Sequence, residues 1–420
     1  MRRLLLKNVL ALSTLQAANM LLPLVTLPYL LRVLGPDHFG AYVFAQALVT
    51  YLVLLVDYGF NLSATGHIAR AQNDLNAISK IFWTTQIAKA VIALAALVFL
   101  IIGIIWIPKF IEIRPILLAT FPIVIGAILF PQWLFQGLER MSIVTISMLS
   151  ARFLLVPLTF FLVRSPEDTW IAALINSMTM VSAGLIAVFL LAKNRLVVFV
   201  LPSRGEVIEA YRDGWHVFIS TAAVSLYTTA NSIILGFLVG NVAVGYFGAA
   251  DKIRNAAEGA FGPLANAVYP RVSALFHENI DQAYALVRKV LLIQSGAMLV
   301  VSLVLFACAD WIVRLAMGPQ YEAAVVVLRW MAFIPFLVSL SNVFGIQLML
   351  PLGMKKKFSE ILVVSGVFNL ITLIPLALAY GAQGAAMSVL ATELLVTIYM
   401  AIHLINQKIP VLTPRTSIDP

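Results

Sequence analysis

The sequence predicts an all-α polytopic membrane protein, and two observations carry that prediction. Apolar residues make up 61% of the 420 residues and charged residues only 11%, whereas a typical soluble domain is about 45–50% apolar and about 25% charged. Charges are also absent from long stretches, among them 8–31, 214–250 and 361–392. About 20 apolar residues span the hydrocarbon core of a bilayer. A soluble globule is therefore excluded.

Twelve transmembrane helices account for the apolar stretches, which glycine, proline and charged residues separate. We predict helices at 9–34, 40–60, 80–107, 115–138, 142–163, 170–192, 215–239, 243–270, 287–308, 322–350, 359–380 and 383–405. A shift of 205 residues superposes Gly35 on Gly240 and Gly40 on Gly245, which suggests two repeats. Repeated transporters bind substrate at the repeat interface near the middle of the membrane. We therefore expect two six-helix bundles around a central cavity, divided as an N-terminal bundle at 1–195, a cytoplasmic linker helix at 196–214 and a C-terminal bundle at 215–420.

The basic residues predict the orientation of the chain. With both termini in the cytoplasm, 18 of the 28 lysines and arginines lie on the cytoplasmic side, five lie outside and five lie within helices. Lysine and arginine concentrate in cytoplasmic loops, so the net charge of +9 indicates orientation rather than nucleic-acid binding. The first apolar run is too long for the apolar core of a signal peptide, and we expect it to remain as the first helix.

Few signals point to a cofactor or to catalysis. The chain has one cysteine, Cys308, and five scattered histidines without metal-ligand spacing. It contains no phosphate-binding P-loop and no nucleophile motif. We therefore expect no cofactor and no metal, and we expect energy for any transport to come from an ion gradient or from the substrate itself.

Residues 34–70 resemble the N-terminal signature of bacterial polysaccharide flippases. Four elements carry the resemblance, namely LGP at 34–36, FG at 39–40, DYGF at 57–60 and AR at 69–70. The pattern is similar to that of the O-antigen, Wzx-type family of the multidrug/oligosaccharidyl-lipid/polysaccharide (MOP) exporter superfamily, which implies a MATE-like fold. It also implies a transporter of the bacterial inner membrane that moves undecaprenyl-diphosphate-linked oligosaccharide from the inner to the outer leaflet by alternating access, for O-antigen or other surface polysaccharide assembly. The implied partners are the lipid-linked oligosaccharide, membrane lipids and polysaccharide polymerase machinery.

A diphosphate cargo of this kind calls for positive charge inside the membrane. A charge at the bilayer centre costs about 2.5–3.5 kcal/mol on insertion scales, so each such residue needs a reason to be there. Arginine binds phosphate with two parallel hydrogen bonds and lysine binds it as a point charge. The candidate diphosphate-binding residues are Lys89, Arg152, Lys252, Arg254 and Arg329. The alternative is that these residues pair with carboxylates inside the protein or that Lys89 extends to the interface.

The predicted helix at 243–270 has the highest density of charge. Its helical periodicity places four polar residues on one face with a lysine beside them, namely Asp251, Arg254, Asn255, Glu258 and the neighbouring Lys252. One interpretation is a structural network of ion pairs three and four residues apart. The other is a cavity wall that combines attraction for an anion with coupling to protons or sodium.

Ion coupling would need a carboxylate within the membrane. The candidates are Asp251, Glu258, Asp57 and Glu393. Asp57 could instead cap a helix, and Glu393 could bond to a neighbouring helix. These alternatives stay open at the level of sequence.

Neutral polar side chains could bind the sugars of the implied cargo. Gln16 and Asn19 share one face of the first helix, and the seventh carries a similar stripe that includes Ser225, Thr228 and Ser232. Gln136 and Trp133, at the end of the fourth helix, could bind and stack on a sugar ring. The alternative for each residue is an interhelical hydrogen bond, which contributes about 0.6 kcal/mol on average.

Two other functions remain as alternatives. A cation-coupled multidrug antiporter of the same fold would bind its cargo with carboxylates and aromatic rings. A membrane-embedded polysaccharide polymerase or ligase would need catalytic groups on a sizeable outer loop. The outer loops predicted here are short, which favours a transporter.

Overall fold

The computed structural model describes the backbone of residues 2–72, 74–259 and 262–410. Side chains are described from Val25 onward, except at 220, 223, 224, 226, 227, 262–267 and 270. Over these residues the chain consists of helices joined by short turns and extended connections, without a strand. The predicted all-helical class is therefore confirmed.

The chain divides into two compact units, Met1–Ser225 and Leu226–Pro420. The helices that begin in the first unit are α1 (Arg2–Asp57), α2 (Phe60–Arg70), α3 (Leu75–Trp106), α4 (Pro108–Glu112), α5 (Arg114–Thr120), α6 (Pro122–Leu129), α7 (Gln132–Gly137), α8 (Met141–Leu155), α9 (Leu158–Leu162), α10 (Thr169–Lys193) and α11 (Arg204–Thr228). Prolines stand in the first turn of α4, α5 and α6. A proline there costs no helical hydrogen bond, because the N–H that it lacks has no partner within the helix.

The second unit continues the helical pattern. Its helices are α12 (Ala230–Leu238), α13 (Asn241–Gly259), α14 (Gly262–Glu278), α15 (Ile280–Val290), α16 (Gly296–Ala307), α17 (Ala309–Ala316), α18 (Ala324–Met331), α19 (Ile334–Asn342) and α20 (Lys355–Asn406). Two π-helical stretches, Leu291–Ser295 and Val343–Met349, follow α15 and α19. Such stretches interrupt the regular α-helical hydrogen bonds and change the direction of the side chains that follow.

Glycine breaks divide the two longest helices. Gly35 in α1 has a φ of 71° and Gly381 in α20 has a φ of 59°. Both lie in the left-handed region, which glycine adopts at little steric cost. Each break coincides with a gap between predicted helices, so α1 and α20 each contain two straight helical stretches.

The outer surface of the helices is apolar. Over the described residues, eight helical stretches are long and apolar enough to cross a bilayer. Along α3 the exposed side chains include Val91, Leu94, Val98 and Ile102. Such a surface is stable against acyl chains rather than against water. The chain is therefore an integral membrane protein, while the twelve-helix count, the two-bundle arrangement and the central cavity stay predictions.

Each unit has its own apolar core. In the first unit the cluster is centred on Trp133, Leu134 and Phe135, which are at most 1% exposed. In the second unit Val343 and Leu348 of the π-helical stretch pack with residues of α20. The predicted boundary between bundles, at 214/215, remains untested, although the compact units divide after Ser225.

The predicted linker helix at 196–214 is helical only from Arg204. Residues 196–203 have no regular secondary structure and are held to α3, where the Val198 N–H donates to Ser79 Oγ at 2.9 Å and Trp83 Nε1 donates to the Val198 carbonyl at 3.0 Å. The helix begins after Pro202 because Ser203 and Glu206 form a reciprocal cap, with hydrogen bonds of 3.0 and 3.3 Å. From this cap α11 runs without interruption to Thr228.

The DYGF motif forms the turn between α1 and α2 and packs against α11. Tyr58 and Gly59 have φ values of 41° and 78°. A Cβ on Gly59 would lie 2.7 Å from the Gly214 carbonyl oxygen, and a Cβ on Gly214 would lie 2.5 Å from the Tyr58 carbonyl oxygen. The Tyr58 ring stacks on Phe218 with centroids 4.8 Å apart. This sequence motif therefore packs against the middle of α11 within the first unit.

Candidate functional site: a polar cavity in each unit

The second unit contains a cavity of about 370 Å³. One face of α13 forms a wall of it, because Phe247, Asp251, Arg254 and Glu258 recur at the helical period. The facing walls come from the end of α11, from α12, from α19 with the π-helical turn that follows it, and from α20. The polar residues that they contribute are Thr228, Asn231, Ser341, Asn342 and Glu393. Among its described lining residues the cavity thus has one arginine and three carboxyl groups.

Arg254 is enclosed by acceptors in this cavity. Its Nε and Nη2 donate to Asp251 Oδ1 at 3.0 and 2.8 Å, and its Nη1 donates to Glu258 Oε2 at 2.6 Å. Nη2 also donates to Asn255 Oδ1 at 2.7 Å, and Asn255 donates in turn to Asp251 Oδ2 at 2.8 Å. The predicted shared face of α13 is confirmed as a contact network. Its geometry is that of the ion-pair interpretation, on the wall of a cavity.

The first unit contains a separate cavity of about 300 Å³. Two helices form most of its wall with side chains three or four residues apart. The helical stretch at 141–162 contributes Met148, Arg152, Val156 and Thr159, and α10 contributes Ala172, Ile175, Asn176, Thr179 and Met180. Pro157 separates α8 from α9 one turn after Arg152. The proline lacks the N–H that would continue the α8 hydrogen bonds.

Arg152 is partly buried in this first-unit cavity. Of the described residues that line it, none is acidic, whereas Thr26, Tyr42 and Asn176 are neutral and polar. Tyr42 is 6% exposed, and its hydroxyl oxygen accepts a hydrogen bond from Gln46 Nε2 at 2.7 Å. That bond leaves the phenolic hydrogen as a donor. The cavity therefore combines one positive charge with neutral hydrogen-bonding groups.

Lys89 lies outside both cavities and is paired. Its Nζ donates to Asp57 Oδ1 at 2.7 Å, and the lysine side chain is only 1% exposed. The alternative in which Lys89 extends to the interface does not describe this structure, because the amine ends on a carboxylate within the unit. A buried ion pair of this kind is stable only when both charges stay paired.

Arg329 and Lys252 lie in different surroundings. Arg329 Nη2 donates to Asp310 Oδ2 at 2.5 Å, and both side chains are about half exposed. Lys252 is partly buried on α13 but is not among the residues that line the second-unit cavity. The five basic residues predicted to bind diphosphate are thus dispersed over several positions. Their role stays a prediction.

The predicted neutral residues are also dispersed. Thr228 lines the second-unit cavity, whereas Ser232 is partly buried outside that lining and the Ser225 carbonyl accepts a bond from the Tyr51 hydroxyl at 2.7 Å. Gln136 is exposed. Gln16 and Asn19 lie outside the residues with described side chains. Trp133 is 1% exposed within the apolar core, so its ring is covered and does not offer a face to a sugar.

Several residues that line the cavities were not predicted from the sequence. Asn176 and Tyr42 in the first unit, and Asn231 and Asn342 in the second, line cavities without belonging to a recognisable motif. The helical spacing of Asn176 and Thr179 on α10 was an available signal. Over the described residues, no group of three or more His, Cys, Asp or Glu is placed to hold a metal ion.

Sequence comparison relates the chain to proteins of surface polysaccharide assembly. A model of the family described as polysaccharide biosynthesis protein matches residues 5–276. A protein of Escherichia coli (strain K12) described as "Putative O-antigen transporter" is 40% identical over 403 residues, which cover 96% of this chain and 97% of that protein. A Shigella dysenteriae protein of the same description is 34% identical, over 94% of this chain and 98% of its own length.

Structural comparison identifies the fold. An inward-facing multidrug resistance MATE family transporter of the MOP superfamily matches with a TM-score of 0.71 at 13% identity, over 96% of this chain and 99% of its own. The lipid II flippase MurJ, in an inward closed conformation, matches with a TM-score of 0.70 at 14% identity, over 94% of this chain and 87% of its own. At these identities the matches show a shared fold.

Proposed function

This chain belongs to the polysaccharide biosynthesis protein family, and from that premise we propose that it moves a lipid-linked oligosaccharide from the inner to the outer leaflet of the bacterial inner membrane. The family resemblance of residues 34–70 is confirmed. The expectation of a transporter rather than an enzyme is also confirmed, because both curated relatives are named as transporters. The proposed cargo is an undecaprenyl-diphosphate-linked repeat unit of O-antigen or another surface polysaccharide.

The observation that carries this proposal is the length of the match to the Escherichia coli protein. Identity of 40% extends over nearly the whole of both chains, so the similarity includes both units and not a single motif. Relatives at this level share a fold and commonly a cargo class. We therefore propose for this chain the cargo class that the name of the relative gives. From the distribution of basic residues we also propose that both termini of the chain lie in the cytoplasm.

The three parts of the proposed cargo, which are the diphosphate, the sugars and the prenyl chain, need different chemical surroundings. The diphosphate needs positive charge, and the proposed contacts are Arg152 first, with Arg254, Lys252, Lys89 and Arg329 as further candidates. The sugars need neutral hydrogen-bonding groups such as Gln16, Asn19, Thr228 and Gln136. The prenyl chain can stay in the lipid beside the apolar outer surface.

Coupling to an ion gradient would use carboxylates within the membrane. Asp251, Glu258 and Glu393 line one cavity, and among its described lining residues these carboxyl groups outnumber the one cation, Arg254. Binding a proton or a sodium ion there would remove part of the excess. Asp57 is engaged by Lys89 at 2.7 Å, so a coupling role for Asp57 would require that pair to open.

A vesicle assay tests the proposed transport directly. Purified protein is reconstituted with a fluorescent oligosaccharide on undecaprenyl diphosphate, and a membrane-impermeant quencher reports how much cargo changes leaflet. We expect wild-type vesicles to exceed protein-free vesicles, and Arg152→Ala and Arg254→Ala to lose transport by about tenfold or more, since each removes charged hydrogen bonds. Exposed Arg164→Ala serves as the control. Equal leaflet exchange with and without wild-type protein would contradict the proposal.

A multidrug antiporter is a second candidate that the second-unit cavity favours. Its three carboxylates could attract an organic cation, and the fold is shared with a multidrug resistance transporter. The same vesicles can be loaded with a cationic dye under a proton or sodium gradient. Dye movement that is lost in Glu393→Gln, without movement of the lipid-linked sugar, would support the antiporter instead.

A further inference from the structure

We propose that a further cavity of the first unit, between α2, α3 and α11, is a binding site for a primary ammonium group, which the headgroup of an aminophospholipid supplies. This α11 cavity has a volume of about 270 Å³, and its acceptors are Glu206, Glu209, Asp213, Thr84 and Thr85. None of its lining residues lines the cavity of Arg152 or that of Arg254. The site is therefore separate from the contacts proposed for transport.

Carboxyl groups dominate the charge of the α11 cavity. Glu206, Glu209 and Asp213 lie three and four residues apart on α11, so helical periodicity places them on one face. The one lysine among the described lining residues, Lys80, contacts Glu206 Oε1 at 2.5 Å. Glu209 is exposed and has no ion-pair partner among the described residues. Its carboxylate is therefore available to a positive ligand.

The histidine in the lining adds no positive charge in this geometry. His67 Nε2 lies 3.2 Å from Asp213 Oδ2, and His67 Nδ1 lies 3.1 Å from Nη2 of the exposed Arg70. A guanidinium only donates hydrogen bonds, so Nδ1 is an acceptor and the hydrogen of the neutral ring is on Nε2. The described lining thus has three carboxyl groups and one cation, which favours a cationic ligand.

Two buried hydroxyl groups are independent evidence for a ligand that donates hydrogen bonds. Thr84 and Thr85 of α3 line the cavity, although they are only 8% and 3% exposed. Neither hydroxyl makes a hydrogen bond to another described residue, whereas the Ser79 hydroxyl of the same helix donates to the Leu75 carbonyl at 2.6 Å. A buried hydroxyl without a partner is costly, and its oxygen can accept from a ligand.

A primary ammonium group matches this set of acceptors. It carries three N–H donors, which carboxylate and hydroxyl oxygens can accept. Over the described residues no group of three or more His, Cys, Asp or Glu is placed to hold a metal ion, so an organic cation fits better. Phe60 and Ile81 line the same cavity and offer an apolar surface to methylene groups. The volume is slightly below the range of about 300–1,000 Å³ for small-molecule sites, which suits a headgroup.

The surroundings of α11 favour a lipid as the source of the ammonium group. Ile208 and Trp215 of α11 are 53% and 47% exposed, and Leu62 of α2 is 67% exposed. Tryptophan is enriched where a membrane meets water, and a helix with both charged and exposed apolar residues is typical of the bilayer surface. A phospholipid with an ethanolamine headgroup presents a primary ammonium group at that surface.

Titration of the full-length protein in detergent, followed by native mass spectrometry, tests the site. The probes are short-chain phosphatidylethanolamine, phosphatidylcholine and phosphatidylglycerol, and soluble ethanolamine. We expect wild type to prefer phosphatidylethanolamine by about tenfold, because the trimethylated nitrogen of phosphatidylcholine has no N–H and phosphatidylglycerol has no cation. Glu209→Gln should weaken its binding by about threefold to tenfold, since exposed charges contribute modestly. Thr85→Val, which removes an acceptor without changing charge, should weaken it by about twofold to fivefold.

Glu322→Gln, the same change at an exposed position of the second unit, is the matched control and should leave binding unaltered. Thermal unfolding verifies that each variant is folded. Wild-type affinity for phosphatidylethanolamine in both Glu209→Gln and Thr85→Val would overturn the site, and so would equal binding of phosphatidylethanolamine and phosphatidylcholine by wild type. Equal affinity for ethanolamine and for the lipid would support the ammonium site but overturn its lipid source. These measurements do not depend on transport, so the proposed function can fail while the site stands.

Discussion

Each of the two units has an arginine in the lining of a cavity, but the neighbouring side chains of the two arginines differ. Arg254 is enclosed by Asp251 and Glu258 at 2.8 and 2.6 Å, with Glu393 on a facing wall of the same cavity. Arg152 shares its cavity with amide and hydroxyl groups and, among the described lining residues, with no carboxylate. An anion bound at Arg254 would have to compete with these carboxylates for the guanidinium. Positive charge in a membrane span therefore identifies a phosphate site only together with its neighbours.

The same comparison suggests a division of labour. Among the described lining residues, the first-unit cavity has one cation and no carboxylate, whereas the second-unit cavity has one cation and three carboxylates. Lys89 in the first unit shows a third situation, in which a single buried pair with Asp57 satisfies both charges. Substitutions that add or remove a charged side chain at these sites test whether the difference in neighbours affects stability and binding.

The largest expected effect is on the Lys89–Asp57 pair. Lys89→Met leaves Asp57 without its partner, and we expect a loss of about 3 kcal/mol in unfolding free energy, at the lower end for broken buried pairs because Asp57 is partly exposed. Unfolding in detergent by increasing denaturant, followed by circular dichroism, measures this loss. The double variant Lys89→Met/Asp57→Asn should recover most of it. A double variant as unstable as the single one would contradict a purely structural pair.

The two cavity arginines provide a matched pair. Arg254→Gln removes the cation that contacts Asp251 and Glu258, and we expect a loss of about 1–3 kcal/mol in unfolding free energy. Arg152→Gln removes a charge that faces no lining carboxylate, and we expect a smaller loss in the same denaturation assay. Neutralising a partner in Arg254→Gln/Glu258→Gln should restore part of the stability. Equal losses for both single variants would remove the distinction between the cavities.

A charge introduced into the first-unit cavity should make it resemble the second. Asn176→Asp places a carboxylate on the α10 wall of the cavity that Arg152 also lines, and we expect pyrophosphate binding to weaken by about tenfold, because the new group competes for the guanidinium. Asn342→Asp, the same change in the second-unit cavity, is the matched control and should leave that binding unaltered. Stronger weakening in Asn342→Asp would reverse the assignment of the two cavities.

The smallest effect concerns the start of α11. Lys80, 2.5 Å away, and the N–H of Ser203 lower the pKa of the partly exposed Glu206 carboxyl below its ordinary value of 4.5. A lowered pKa means that this contribution to stability is present above the ordinary pKa and is lost as the pH falls through the folded-state value. Thermal unfolding of wild type and Glu206→Gln should therefore differ near neutral pH and converge in acid. A difference that persists in acid would contradict this interpretation.

Much of the fold was predictable because helices that contact lipid require long apolar stretches, which are visible in the sequence. The apolar stretches located the helices, and the glycine at 35 marked a break that the backbone confirms with a φ of 71°. The α13 face was also predictable, since helical periodicity alone brings Asp251, Arg254 and Glu258 together. The non-helical segment at 196–203 was not predictable, because its hydrogen bonds are made with α3, far away in the chain.

The candidate site was harder to predict because cavities arise between helices. Glu393 reaches the α13 wall only through the packing of α20, and its sequence neighbours give no sign of that contact. Trp133 had the composition of a sugar-stacking residue, yet it lies in the apolar core. Hydrophobicity decides that a segment is helical, but which of its faces meets a void depends on its neighbours.

The reciprocal contact between Gly59 and Gly214 limits the substitutions that these two positions tolerate. One methyl group at either position would overlap the backbone of the other segment, so the smallest possible enlargement is already too large. No side-chain rearrangement can compensate, since the opposing atoms are main-chain atoms. Positions 59 and 214 are distant in the sequence but are therefore constrained together. A larger residue at either position would require the contact between the two segments to be lost.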